Sequence, residues 1–241
     1  MLPALPLHRI ATILVEPRSA DNVGGALRAL RNMGLGDLRL VRPADFDWRR
    51  LAVAAHRSQA QIDAIRVFDD LDSALADAVY VVGTTARRRA ARLPVLTPRQ
   101  AAEAALARAD SGRVAFLFGR EDVGLSSLDL ERCHALLTIP TDPDYASLNL
   151  AQAVLVIAYE LRLAADAPRP LPRPAAPAPA IAAQMAVLFA TLDQALDSAG
   201  FLIPSRAEAT RRSLRTIVQR AELTDQEAAL VTAMLRALRR S

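Results

Sequence analysis

Arg28 follows two adjacent glycines, Gly24 and Gly25, within a segment whose apolar residues recur at helical spacing. In a helix, the side chain of Arg28 extends over the positions three and four residues before it, which are the two glycines. Each glycine costs a helix about 1 kcal/mol relative to alanine, so their presence needs a reason. One interpretation is a cleared space in which a ligand or another backbone approaches the guanidinium group. The other is a solvated arginine beside a loosely formed helix start.

A second candidate site follows the apolar residues 116–118, where Gly119, Arg120 and Glu121 precede another glycine. Ligands bind at the carboxyl ends of strands in open α/β sheets, so this segment is a candidate ligand loop. The alternative is an ordinary turn between a strand and a helix, with an ion pair at the surface.

A third polar loop, at 141–149, separates a short apolar segment from a long apolar helix pattern. The side-chain oxygen of Ser147 or Asn149 can cap that helix. The helix is apolar over a wide arc, which predicts a core contact on one side and a subunit contact on the other.

Several familiar sites are absent from the sequence. No G-x-G-x-x-G follows the first strand pattern and no G-x-x-x-x-G-K-[ST] is present, which argues against the common nucleotide-binding loops. His8, His56 and His134 lack metal-ligand spacing with Cys133, so we expect no metal site. No G-x-S-x-G supports a serine hydrolase, although a Ser-His-Asp arrangement stays open.

The composition, 52% hydrophobic and 23% charged over 241 residues, is typical of a globular protein. No apolar run reaches the roughly 18 residues of a membrane span, and the N-terminus lacks a signal-peptide pattern, so we expect no membrane association. The single cysteine excludes an internal disulfide and predicts a reducing, cytoplasmic location. All 30 basic residues are arginines, but the net charge of +4 is weak evidence for a nucleic-acid partner.

Strand-like and helix-like segments alternate between residues 9 and 165, which predicts an α/β fold with a parallel sheet and helices on both faces. The predicted strands are 10–15, 38–41, 79–82, 114–118 and 136–139. The predicted helices are 22–33, 49–60, 71–77, 98–109 and 149–164. Asp21 or Asn22 is the predicted cap of the first helix.

Six prolines between residues 167 and 180 predict a stiff linker. Beyond it, leucines recur at helical spacing without a strand pattern, which predicts a small all-α extension of two or three helices. The predicted organisation is therefore an α/β domain at 1–166, the linker at 167–180 and the helical extension at 181–241.

The segments NVGGALRALRNMG, FLFGREDVGLS and IPTDPDYASLNLAQAVLVIAYE resemble, in order and spacing, the three motifs of the SPOUT class of RNA methyltransferases, the TrmH/SpoU superfamily. Within that class the chain is most similar to ribose 2'-O-methyltransferases that act on tRNA, including in its tail. The resemblance implies a SPOUT α/β fold with a C-terminal trefoil knot, assembled as a homodimer. It also implies S-adenosyl-L-methionine as cofactor, tRNA as partner and no metal.

The resemblance further implies which residues form the site. Catalysis is expected to involve Arg28, Asn22, Glu121, Ser147 and Asn149. The expected cofactor-binding residues are Thr84, Thr85, Ala86, Gly119, Ile139, Ser147, Leu148 and Asn149. Arginines near these motifs and in the tail are the expected RNA contacts, namely Arg87, Arg88, Arg211, Arg212 and Arg215.

The implied reaction moves a methyl group to a ribose 2'-hydroxyl, which loses its proton as it attacks. Because an arginine side chain stays protonated near neutral pH, we expect Arg28 to stabilise the forming alkoxide and hold the RNA backbone. On this hypothesis Gly24 and Gly25 let that backbone come close, while Asn22 and Glu121 orient Arg28 and the RNA. The implied target is the first nucleotide of the anticodon loop, a cytidine or uridine. An rRNA target and a non-catalytic RNA-binding protein are the alternatives.

Overall fold

The chain, seen in a computed structural model, is described over residues 6–45, 47–56, 58–86, 93–167 and 178–239. The strands within these ranges are β1 (Ile10–Val15), β2 (Asp37–Val41), β3 (Arg66–Phe68), β4 (Ala78–Thr84), β5 (Val95–Leu96), β6 (Arg113–Phe118) and β7 (Ala135–Leu137). They form one sheet in the order β3-β2-β1-β6-β4-β7-β5, and every pairing in it is parallel. The predicted parallel sheet is therefore confirmed.

Helices cover both faces of the sheet, as predicted. One face packs against three long helices, at 20–32, 98–109 and 150–166, and the other packs against the short helix 71–75 and the segment around 127–130. None of the helices in the described ranges has the length and apolar character of a membrane span. The helices are α1 (Ala20–Asn32), α2 (Trp48–Ala55), α3 (Gln59–Asp63), α4 (Leu71–Leu75), α5 (Pro98–Ala109), α6 (Ser127–Leu130), α7 (Leu150–Asp166), α8 (Ala182–Ser198), α9 (Ala207–Arg220) and α10 (Asp225–Leu238).

Several boundaries differ from the prediction. The cap of α1 is Ser19, whose hydroxyl accepts a hydrogen bond from the backbone N–H of Asn22, so the predicted caps Asp21 and Asn22 are wrong. The predicted helix 49–60 is two helices, because the chain turns at His56, where φ is +36°. The strands β3 and β5 have no counterpart in the prediction.

The two glycines of α1 face neighbouring helices of the same chain. A β-carbon on Gly24 would lie 2.6 Å from the β-carbon of Ala54 and 2.8 Å from the carbonyl oxygen of Leu51, both in α2. A β-carbon on Gly25 would lie 3.0 Å from that of Ala151 in α7. The glycines therefore let two helices pack closely on α1, and the interpretation that they clear a space for a ligand is wrong.

Gly24→Ala is expected to destabilise the chain by about 1–3 kcal/mol, because the added methyl group overlaps a backbone carbonyl that moves only if α2 moves. Gly36→Ala is the matched control, since no atom lies within 4 Å of a β-carbon added there. That change is expected to be neutral or to stabilise by up to about 1 kcal/mol. Urea unfolding measures both effects. Equal stability of the two variants would contradict the close contact of α1 with α2.

The helices α8, α9 and α10 have a small core of their own around Leu188 and dock at the amino ends of β4 and β7. Arg108, at the end of α5, donates hydrogen bonds of 2.7 and 2.8 Å to the Glu222 carboxylate between α9 and α10. The predicted helical extension thus corresponds to three helices in the structure. Most of the predicted linker, residues 168–177, lies outside the described residues.

His134 lies in the wall of a cavity of about 170 Å³ at this junction. Its Nδ1 accepts a hydrogen bond from the backbone N–H of Val81 at 3.1 Å, and burial lowers its pKa to about 4. The preceding residue, Cys133, is a free and fully buried thiol. In the described ranges no three His, Cys, Asp or Glu residues are grouped so that they could hold a metal ion.

Candidate active site

A cleft of about 370 Å³ opens at the carboxyl ends of β4, β6 and β7. One wall is the loop 119–125, and the other is formed by residues 146–148 and the start of α7. The extension of β4 is held in place because Thr84 Oγ1 donates to the Leu117 carbonyl at 2.8 Å and the Thr85 N–H donates to the Leu137 carbonyl at 2.9 Å. The cleft lies where an open α/β sheet binds ligands.

The cleft brings together most of the residues expected to bind a cofactor, although they come from three distant segments. Asn149, which does not line the cleft, is the N-cap of α7. The segment of the predicted RNA contacts Arg87 and Arg88 lies outside the described residues. The expected residues that line the cleft are Thr84, Thr85, Ala86, Gly119, Ile139, Ser147 and Leu148.

Gly119 allows the loop 119–125 to fold back on the end of β6. A β-carbon on Gly119 would lie 2.1 Å from the carbonyl carbon of Gly124 and 2.2 Å from the amide nitrogen of Leu125. The turn is closed by a hydrogen bond of 2.9 Å from the Gly124 N–H to the Arg120 carbonyl, and Gly124 has a φ of +73°. Because these contacts are with backbone atoms, a side chain at position 119 would displace one wall of the cleft.

Three polar side chains from three segments form a hydrogen-bonded chain at this end of the sheet. The Asn149 amide donates to Asn22 Oδ1 at 2.8 Å, and the Asn22 amide donates to Glu121 Oε1 at 2.9 Å. Asn149 is itself oriented by α7, since its Oδ1 accepts from the backbone N–H groups of Ala151 and Gln152. Three of the five residues expected to take part in catalysis are therefore in one network.

The Glu121 carboxylate also closes the start of α1. It accepts hydrogen bonds from the backbone N–H groups of Arg18 at 3.1 Å and Ser19 at 3.2 Å. A negative charge is favoured there, because the unpaired N–H groups at a helix start carry partial positive charge. Glu121 thereby fastens the loop after β6 to α1, and Asn22 extends the connection to α7.

Positive and negative side chains alternate along the same loop and the neighbouring strand end. Arg120 donates hydrogen bonds of 2.8 and 3.0 Å to Asp122, and these bonds lower the pKa of Asp122 to about 2. Arg42 donates to Glu16 at 3.0 and 3.1 Å, from the end of the neighbouring strand. Glu16 and Arg42 have φ values of +53° and +45°, a conformation that costs a non-glycine residue energy and that concentrates at functional sites.

The other two residues expected to take part in catalysis stand apart from this network. Ser147 lines the cleft and is exposed. Arg28 is exposed on α1 and is not among the residues that line the cleft. Its side chain makes no hydrogen bond or ion pair within the part of the chain that the structure describes. The guanidinium of Arg28 is thus available to a partner outside this chain.

The tail arginines expected to contact RNA have partners inside the chain. Their ion pairs hold α9 against α8 and against the α/β domain, so they have a structural role. Contact with RNA stays a prediction for them. The pairs are Arg211 with Asp193 and Asp197, Arg215 with Asp193, and Arg212 with Glu131.

Comparison with known proteins finds similarity along the whole chain. A family model described as the SpoU rRNA Methylase family matches residues 9–159. The tRNA (cytidine/uridine-2'-O-)-methyltransferase TrmJ of Cronobacter sakazakii is 37% identical over 240 residues, covering 98% of each protein. The tRNA (cytidine/uridine/adenosine-2'-O-)-methyltransferase TrmJ of Pseudomonas aeruginosa is 35% identical, covering 95% of this chain and 93% of that protein.

Among solved structures, TrmJ from Z. mobilis superposes with a TM-score of 0.82 at 34% identity, covering 95% of this chain and 98% of that chain. The superposition therefore includes the three C-terminal helices as well as the sheet. The matched family model spans all three segments that build the cleft and the hydrogen-bonded network. From its fold, its cleft and these relatives, the chain is a methyltransferase that belongs to the SpoU rRNA methylase family.

Proposed function

We propose that this enzyme transfers a methyl group from S-adenosyl-L-methionine to the 2'-hydroxyl of a tRNA ribose, at a cytidine or uridine that is the first nucleotide of the anticodon loop. The observation that carries the proposal is the network of Asn22, Glu121 and Asn149 beside a ligand-sized cleft, in a chain whose TrmJ relatives match it almost from end to end. Because the substrate is tRNA, we place the enzyme in the cytoplasm.

An rRNA target is the second candidate, since the name of the matched family refers to rRNA. The tail favours tRNA, because relatives named for tRNA methylation cover 98% of this chain, helical extension included. A non-catalytic RNA-binding role is the third candidate. The presence of all five residues expected to take part in catalysis argues against it.

The cleft suits S-adenosyl-L-methionine in size and in lining. Its volume of about 370 Å³ lies within the range of roughly 300–1,000 Å³ that is typical of small-molecule sites. Apolar side chains of Leu125 and Leu137 line the cleft, which suits an adenine ring. The residues at 84–86, Gly119, Ile139 and 147–149 would hold the cofactor, which supplies the methyl group when it is bound.

The residues of the chain have separate tasks in this proposal. Arg28 donates hydrogen bonds to the ribose oxygen, whose proton passes to solvent water, and to a neighbouring phosphate, which stabilises the negative charge that develops on the oxygen. Glu121, Asn22 and Asn149 keep the start of α1, the loop 119–125 and the start of α7 at fixed distances. Ser147 lies in the cleft wall, where its hydroxyl can orient the cofactor or the ribose.

Glu121→Gln is expected to lower methyl transfer by about 100-fold. A carboxamide would turn an N–H toward donors that now meet an oxygen, so the loop 119–125 would move relative to α1. A displacement of about 1 Å at an active site costs about that factor in rate. The donors are the N–H groups of Arg18 and Ser19 and the amide of Asn22. The measurement is kcat/KM on a tRNA transcript. Glu103→Gln, at an exposed position of α5, is the matched control and should stay at the wild-type value. Wild-type activity of Glu121→Gln would contradict the positioning role of the network.

A homodimer would complete the site. The outer side of α7 exposes Leu155, Tyr159 and Leu163 by 40%, 50% and 40%, an apolar surface suited to a twofold contact. Arg28 does not line the cleft of its own chain, so we place it in the cleft of the partner subunit.

A trefoil knot is consistent with the order of the strands. The later strand β7 lies between β4 and β5 in the sheet, although it follows both of them in the chain. A late strand inserted between two earlier ones is the arrangement that a threaded chain would have. We also propose that residues 181–241 act as an RNA-binding unit on the α/β domain of 1–166. A substrate as large as tRNA can span from the cleft to this tail.

The test of the proposed function compares tRNA from cells with and without this gene by mapping 2'-O-methylated riboses. We expect one methyl group to disappear, at the first nucleotide of the anticodon loop. Loss of a methyl group from rRNA instead would support the second candidate. Unchanged methylation of both RNA classes would support the non-catalytic role.

A further inference from the structure

Tyr145 has the most exposed large apolar side chain in the described ranges, at 82% of its surface. It stands directly before Ala146 and Ser147, which line the cleft. Tyr145 belongs to the third motif segment, but it is not among the residues expected to bind the cofactor or to take part in catalysis, and it is not in the hydrogen-bonded network. An aromatic ring that is exposed at the edge of a ligand cleft indicates a binding contact.

The exposure of Tyr145 does not come from a loose loop. Its N–H donates to the Asp142 carbonyl at 3.0 Å, inside a short 3₁₀ turn that begins at Pro143. The Asp142 side chain caps this turn by accepting from the Asp144 N–H at 2.8 Å, and Thr141 Oγ1 donates across the turn to the Ala146 carbonyl at 3.3 Å. The loop is therefore stiffened by its own hydrogen bonds and holds the tyrosine outward.

The surrounding charges indicate what kind of ligand group meets this ring. Asp142 and Asp144 precede Tyr145 in the same turn, and both are exposed. Two carboxylates repel a phosphate, so the backbone of an RNA is disfavoured at this edge of the cleft. Arg120 in the lining of the other wall and Arg18 beside it are both paired with Asp122, so that wall offers a phosphate no uncompensated positive charge either. The group that meets Tyr145 is therefore expected to be flat and uncharged, as a base is.

We propose that Tyr145 is a stacking platform for one unpaired nucleobase of the RNA substrate, either the base of the methylated nucleotide or its neighbour. The inference rests on the proposed function and extends it, because it assigns a base-binding subsite and requires a nucleotide that is not held in a helix. Unstacked bases in RNA loops pack on aromatic side chains in this way. The contact is tolerant of base identity, since every base has a flat apolar face.

The test compares Tyr145→Ala with Tyr145→Phe on a tRNA transcript. Tyr145→Ala is expected to raise KM for tRNA by about 10-fold or more, the factor associated with one lost base stack, while Tyr145→Phe keeps the wild-type value. The dependence of KM on salt should stay unchanged, because no phosphate contact is removed. Val53→Ala, at an 80% exposed apolar position of α2, is the control and should behave like wild type.

Three results would overturn the inference. They are a wild-type KM for Tyr145→Ala, a loss of cofactor affinity by that variant without RNA, and dissociation of a dimer by that variant. The second would assign the ring to the cofactor, and the third would assign it to a subunit contact. Failure of the proposed function is distinguishable, because in that case the wild-type enzyme itself would not methylate tRNA. Direct tRNA binding by wild type and Tyr145→Ala would still test the stacking contact.

Discussion

Replacing Arg28 with alanine is expected to lower the turnover of tRNA by about 100-fold to 1,000-fold, the usual effect of removing a group that stabilises a developing oxyanion. The free energy of unfolding should stay unchanged, because the side chain is exposed and makes no hydrogen bond or ion pair within the described part of the chain. Cofactor affinity should also stay unchanged. The measurement is kcat on a tRNA transcript, with binding of the demethylated cofactor measured by calorimetry.

Two further variants test whether the effect is specific to the guanidinium group at position 28. Arg28→Lys keeps the positive charge but loses the planar fork, so we expect it to stay impaired if Arg28 bridges an oxygen and a phosphate. Arg236→Ala removes an exposed arginine at the far end of the tail and should leave kcat unchanged. Near-normal turnover by Arg28→Ala would make Arg28 a solvated surface residue.

Mixing two inactive variants tests whether Arg28 acts in the cleft of the partner subunit. A heterodimer of Arg28→Ala with a variant that has a damaged cleft contains one complete site if Arg28 acts across the interface. Mixed subunits should then recover about a quarter of the wild-type activity, since half of randomly paired dimers are heterodimers. No recovery in dimers that exchange subunits would place Arg28 in its own cleft.

Gly119→Ala is expected to weaken cofactor binding by about 100-fold, which corresponds to about 3 kcal/mol of overpacking. The new methyl group would meet backbone atoms of Gly124 and Leu125 at 2.1 and 2.2 Å, so the loop 119–125 must move. That loop forms one wall of the cleft. Calorimetric titration with S-adenosyl-L-methionine measures the loss, and far-UV circular dichroism checks that the chain is folded.

The control for this prediction is Gly36→Ala, which adds a methyl group where nothing lies within 4 Å. It should bind the cofactor like the wild type. Wild-type affinity of Gly119→Ala would show that the cofactor does not depend on this wall. The variant also supplies the damaged cleft that the mixing experiment needs.

The central strands were predictable because they are buried apolar runs with clear ends. β1 was predicted with its observed bounds, and β6 within one residue. The edge strand β3 was missed, since its two first residues are exposed and it carries no continuous apolar run. Its pairing with β2 depends on backbone groups, which a pattern of side chains does not reveal.

The glycines of α1 show a second limit of prediction from sequence. Helical spacing correctly sets Gly24 and Gly25 apart from the apolar stripe, but it does not say what lies on that side. The fold places α2 and α7 there, so two positions that looked open are contacts between helices. Periodicity within one helix contains no information about its neighbours.

The site residues were found by resemblance, and their arrangement required the structure. Asn22 and Asn149 are 127 residues apart, yet their side chains share a hydrogen bond of 2.8 Å, and Glu121 joins them. The arginines of the tail also needed the structure. RNA contact stays a prediction for Arg211 and Arg215, but both pair with carboxylates of α8 that lie 14 and 22 residues before them in the sequence.

Transfer of a labelled methyl group in vitro tests the central claim most directly. The purified chain is incubated with labelled S-adenosyl-L-methionine and two tRNA transcripts, one unmodified and one with a single 2'-deoxy nucleotide at the start of the anticodon loop. We expect label in the first transcript, at that ribose, and none in the second. Equal labelling of the two transcripts, or no labelling of either by a chain that binds the cofactor, would contradict it.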